Sequence, residues 1–135
     1  MQSGSTLEEF DTLVLADNRM QALKDCSSQL KPGGVLYWEV CRGLRHPRLS
    51  SMNRLVAAAE QAGFREIETY WHRPDFAACR EIIPLGRPYA LAQAFAKTHR
   101  SVVGRAKVAA GRFIHDTGLL QYLAPCVSVV ATRPD

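Results

Sequence analysis

The chain has 135 residues, is 47% apolar, and sets 17 Lys and Arg against 13 Asp and Glu for a formal net charge of +4. That is enough chain for one domain with a real core, and no apolar run approaches the roughly 20 residues of a membrane span. The opening "MQSGSTLEEFD" lacks the basic start and apolar stretch of a signal peptide, so a cytoplasmic protein with no membrane partner is expected.

In chain order, "TLVLAD" (residues 12–17) combines β-branched and Leu residues between polar ones and predicts a buried strand. Over residues 18–30, Met20, Leu23, Cys26 and Leu30 recur at spacings of three and four, one face of a helix. Lys31 suits its C-terminal end, Pro32 stops it, and Gly33-Gly34 make the exit turn. "VLYWEV" (35–40) has no clean polar alternation, which predicts a strand covered on both faces, as in parallel sheets. The strand–helix–strand order allows a right-handed parallel crossover.

"CRGLRHPRLS" (41–50) reads as a basic loop, and Ser50 or Ser51 can cap a helix running to about Ala62, striped by Met52, Leu55, Val56 and Ala59 and ended by Gly63. "FREIETYW" (64–71) favours a strand by its β-branched and aromatic content. Residues 72–88 hold three prolines and predict a loop with a short apolar plug at Ile82-Ile83. Residues 89–118 predict two helices bent around 101–104, and "CVSVVATRP" (126–134) a final strand. Cys26, Cys41, Cys79 and Cys126 have neither CxxC spacing nor a His at ligand distance. Free thiols and no metal are expected.

The succession strand, helix, "LKPGG", strand, helix, "AGF", strand, and a late strand ending "VVATRP" resembles the C-terminal half of class I S-adenosylmethionine-dependent methyltransferases. The resemblance implies that 12–17, 35–40 and 64–71 are the family's fourth, fifth and sixth strands, with 126–131 antiparallel between the last two. The implied fold is α/β: a partial Rossmann-like, mixed sheet of about four strands with flanking helices. Residues 10–75 and 119–134 would form the sheet, and 76–118 a loop and helical insertion, in a single domain spanning 1–135.

In that family the methyl donor rests on a glycine-rich loop after the first strand, and an acidic residue after the second holds its ribose. Nine residues precede "FDTLVLAD", and "KPGGV" runs from helix to strand, the reverse of a nucleotide loop. No cofactor is therefore expected for the isolated chain; S-adenosylmethionine is implied by the family alone. The family's fourth strand is central, so here residues 12–17 would be left as an exposed apolar edge. A homo-oligomer, or a second chain pairing with 12–17, is the expected partner. The implied function is the acceptor-side half of a methyltransferase, inactive alone and completed by another chain or by self-association. The alternatives are a non-catalytic interaction module derived from that fold, or a weak anion or RNA binder.

Three groups of residues are candidate sites. Asp17, Asn18 and Arg19 stand at the tip of the first strand, where open α/β sheets take ligands; the competing reading is a helix cap. Glu39, Arg42, Arg45 and His46 stand at the neighbouring tip, where Arg can hold a phosphate or carboxylate and His can act as a base; the competing reading is a solvated basic loop. Trp71, His72 and Arg73 could line an acceptor pocket, or Trp71 could belong to the core. The basic helices lack interleaved aromatics and any reader motif, so nucleic acid is not an expected partner. No Ser-His-Asp order, paired carboxylates, HExxH or Walker motif is present, and no catalytic residue is assigned.

Overall fold

The computed structural model describes residues 9–16, 19–41, 51–87, 90, 93 and 124–135. These form β1 (Phe10–Leu15), α1 (Met20–Gln29), β2 (Leu30–Cys41), α2 (Met52–Gln61), β3 (Arg65–Arg73), β4 (Glu81–Pro84) and β5 (Cys126–Thr132). The sheet order is β1-β2-β5-β3-β4. β1 pairs with β2 in parallel, and β5 lies antiparallel to both β2 and β3. β1, β2 and β3 therefore run one way and β5 the other, as the resemblance implies. The fold is a mixed α/β sheet with helices packed on it.

Strand alternation decides which face is core. In β2, Leu36, Trp38 and Val40 are fully buried while Val35, Tyr37 and Glu39 are half-buried. Their partners Val127, Val129 and Ala131 continue the buried face across β5. Leu23 of α1, Leu55 and Ala59 of α2, and Phe64 close over it. Each Val, Leu or Phe among them contributes roughly 1.5–3 kcal/mol by leaving water. The expectation that 35–40 is covered on both faces is corrected: among the described residues one face is packed and the other half-buried.

The first strand also departs from a buried reading. Val14 is 67% exposed and only Leu15 is buried. β1 has one neighbour in the described sheet and one face on the helices, so it buries little. Helix α1 stops at Gln29, earlier than Pro32 requires, because the extended chain already begins at Leu30, whose N–H still reaches Cys26 O. Residues just before a proline favour extended backbone. Its N-cap is Arg19, without a side-chain capping bond. The α2 start is as expected: Ser51 Oγ accepts from the Arg54 N–H, and Gly63 supplies a φ of 95° just beyond the helix.

Two boundaries need correction beyond residue 71. β3 continues through Arg73, so His72 and Arg73 are strand residues rather than loop. The apolar plug is β4, paired antiparallel to β3, which makes five strands rather than about four. Ile83 is 2% exposed and Ile82 58% exposed, as alternation requires. The predicted helical insertion falls almost wholly outside the described residues. Among those described, no helix is long and apolar enough to cross a membrane.

Candidate functional site

The half-buried face of the sheet carries a connected polar cluster at the C-terminal ends of β2 and β3. Ladder partners share a face, and the register places Glu39 opposite Ser128 and Tyr70 opposite Ser128 from the other side. Tyr37 and His72, each two residues along, project to that same face.

His72 is its centre, with 5% of its surface exposed. Its Nε2 lies 2.8 Å from Ser128 Oγ and its Nδ1 3.6 Å from Cys79 Sγ. The Cys79 thiol also donates to the Glu81 carbonyl at 3.4 Å. Tyr37 meets the imidazole edge-on at 6.5 Å between centroids, and Phe76 covers it at 4.7 Å. The Tyr37 hydroxyl stands beside Ser128 and Glu39, which pull its ionisation in opposite directions.

Bond directions follow from what each group can do. Glu39 as a carboxylate only accepts, the Cys79 S–H is spent on the Glu81 carbonyl, and His72 Nε2 and Ser128 Oγ share one hydrogen bond. Burial holds the His72 pKa below the usual imidazole value, with the Glu39 charge pulling weakly the other way. Burial likewise pushes the Tyr37 hydroxyl up, opposed by its Ser128 bond and assisted by Glu39. The cluster is thus a neutral imidazole hydrogen-bonded to Ser128, with Tyr37 and the half-buried Glu39 beside it.

Of the residues anticipated from sequence, Glu39 and His72 come together. Trp71 and Arg73 do not join them, because neighbours along a strand face opposite ways. Trp71 pairs with Val127 and Ile83 and packs on the core. Its Nε1 is buried with no hydrogen-bond partner among the described residues. Arg73 stacks over the Trp71 ring at 5.3 Å and pairs with Glu81 at 3.5 Å. The single pocket expected of Trp71, His72 and Arg73 is therefore replaced by two faces with different roles. Arg19 is the N-cap residue of α1. Asp17, Asn18, Arg42, Arg45 and His46 lie outside the described residues.

Sequence reading missed Tyr37, Cys79 and Ser128. Only the ladder register could have found Ser128, by counting β5 against β2. A separate cleft of about 250 Å³ is bounded by Glu68, Tyr70 and Arg87 and does not include His72. There Tyr70 donates to Glu68, which raises the Tyr70 pKa, and Arg87 lies 3.9 Å from the same carboxylate. These groups are already satisfied and solvent-facing.

Among solved structures the chain is similar to an S-adenosylmethionine-dependent methyltransferase from Thermotoga maritima, described as a possible histamine N-methyltransferase. The identity is 15%, 93% of this chain and 56% of that one are covered, and the TM-score is 0.51. It is also similar to phosphoethanolamine N-methyltransferase 2 of Haemonchus contortus in complex with S-adenosyl-L-methionine, at 17% identity, 93% and 34% coverage and a TM-score of 0.49. No family model and no curated protein matches the sequence. The first likeness shows a methyltransferase-like fold, and this chain spans 56% of that structure's length.

Proposed function

We propose that this chain is the acceptor-side half of an S-adenosylmethionine-dependent methyl-transfer assembly, inactive alone and completed along β1 by another chain or by a second copy. The observation that carries the reading is the open edge. β1 is the outer strand of a methyltransferase-like sheet, parallel to β2, with Val14 67% exposed. An apolar parallel strand with one side unpaired among the described residues is a template for another strand.

The polar cluster adds support, since ligands of open α/β sheets meet the C-terminal ends of parallel strands. Glu39 is the half-buried member that an acceptor could reach; Tyr37, Ser128 and His72 orient it. The described residues do not fit the donor itself. Gly34 is closed over by its own chain, for an added Cβ would lie 2.8 Å from Lys31 O and 3.2 Å from Phe10 O. Gly33 and Gly34 also lie inside β2, which follows a helix rather than leading into one, the wrong order for a phosphate-type cradle. The completing segment would have to hold the donor.

Calorimetric titration of S-adenosylmethionine, paired with light-scattering mass, tests this. A chain that associates, or takes up a partner, before it binds the donor supports the reading. One-to-one donor binding by a monomer overturns it. The ill-fitting glycine turn also favours a second reading, a non-catalytic interaction module. Pairing along β1 with no donor binding in the completed assembly would support that one.

A further inference from the structure

Cys41 ends β2, Cys126 begins β5, and the two are direct partners in the antiparallel ladder. The far end of that ladder shows what kind of partners they are. There the Arg133 N–H donates to Gly34 O at 2.8 Å and the Gly33 N–H donates to Arg133 O at 2.9 Å, a hydrogen-bonded site. The register then runs unbroken from Val35↔Thr132 to Cys41↔Cys126. Hydrogen-bonded and non-hydrogen-bonded pairs alternate in such a ladder. Val35–Thr132 is accordingly of the second kind, and so, at every other pair, are Tyr37–Val130, Glu39–Ser128 and Cys41–Cys126.

Non-hydrogen-bonded partners have Cα atoms about 4.5 Å apart, with the side chains closer together than in the other type. That falls within the roughly 4.4–6.8 Å that disulfides span. Both thiols leave the sheet on the same face, Cys41 exposed and Cys126 half-buried, and neither is in a disulfide. They already sense each other: burial raises the Cys126 pKa most, and the neighbouring Cys41 sulfur raises it further. Cys26 belongs to α1, and Cys79 is engaged by His72 and the Glu81 carbonyl.

We propose that Cys41 and Cys126 form a reversible disulfide by exchange with a small-molecule disulfide of the glutathione type. The Cys41 thiolate attacks one sulfur of the reagent, whose S–S bond breaks and releases one glutathione thiolate. The Cys126 thiolate then attacks the Cys41 sulfur of the mixed disulfide, and the second glutathione leaves. Two electrons pass from the cysteines to the reagent, and the two thiol protons end on the released glutathiones. The new bond fastens the C-terminal end of β2 to the start of β5, one pair of side chains beyond Glu39–Ser128. It would lock the strand ends at which the polar cluster stands, independently of any methyl donor. Because Cys126 holds its proton more tightly than an ordinary thiol, the second step quickens as pH rises.

The test is to expose the full chain to oxidised glutathione at mildly alkaline pH, alkylate the remaining thiols, and map the peptides by mass spectrometry. The expected product is a single intramolecular link between Cys41 and Cys126, lighter by two hydrogens, with Cys26 and Cys79 alkylated. In Cys126→Ser the glutathione should stay on Cys41. If that variant does not fold, the wild-type map decides alone. The proposal is overturned by glutathione remaining on both cysteines, by no reaction at either, or by a link to Cys79 or to a second chain. It is equally overturned if the same link forms as readily in denaturant, since the ladder would then play no part.

Discussion

At His72 two influences on one proton oppose each other. Desolvation favours the neutral ring and Glu39 favours the charged one, and desolvation prevails. The folded pKa therefore lies below the ordinary value of about 6.5. The unfolded chain then binds more protons in the interval between the two values. Stability from this group is complete above about pH 6.5, falls as pH drops through that value, and levels off below the folded pKa. Urea midpoints measured from mildly alkaline to mildly acidic pH should decline across that window, and His72→Gln should remove this part of the decline. A wild-type midpoint that rises on acidification would contradict the assignment. Glu39 and His72 were legible as candidates because each carries titratable chemistry near a predicted strand end. Ser128 was not, because one Ser within "CVSVVA" gains meaning only from the strand beside it. Trp71 packs on the core, the competing reading of the sequence, and Arg73 follows it to that face, an alternation that a run quoted as a unit hides.

Among the elements, the helix-to-strand passage from α1 into β2 is the most tightly constrained. An alanine Cβ at Gly34 would meet Lys31 O at 2.8 Å, Leu30 Cδ2 at 3.1 Å and Phe10 O at 3.2 Å. Two of those atoms are backbone and have no rotamer by which to retreat. Gly34→Ala should cost about 1–3 kcal/mol, the range for overpacked sites. It would be seen as a lower urea midpoint at unchanged slope. Gly86, with nothing within 4 Å of an added Cβ, is the control and should tolerate Ala with little change. The cap at Ser51 and the glycine at position 63 could be read in advance because capping is local chemistry. β4 could not, since four residues ending in a proline are too few to show a period, and its identity comes from pairing with β3.

For the molecule as a whole, the sheet order was largely legible through the resemblance, which foresaw β5 reversed between β2 and β3. What the amino acids alone could not convey is how little of β1 is buried, since that depends on what lies beside it. Charge on an edge strand discourages pairing. Val14→Lys should therefore lower the light-scattering mass of any self-associated form toward that of one chain. Stability should shift by no more than about 0.5 kcal/mol, as at other exposed sites. An unchanged mass for the variant, with an associated wild type, would place the contact elsewhere.

The position of β5 also dictates when the sheet can exist. A ribosome delivers β2 and β3 well before the ribbon that separates them, and the two share no ladder of their own. Until residues 126–132 emerge, Trp38 and Trp71 lack their partners Val129 and Val127. Translation must reach residues 126–132 before the two halves of the sheet can zip together, so until then the nascent chain can hold only β1 against β2 and β3 against β4.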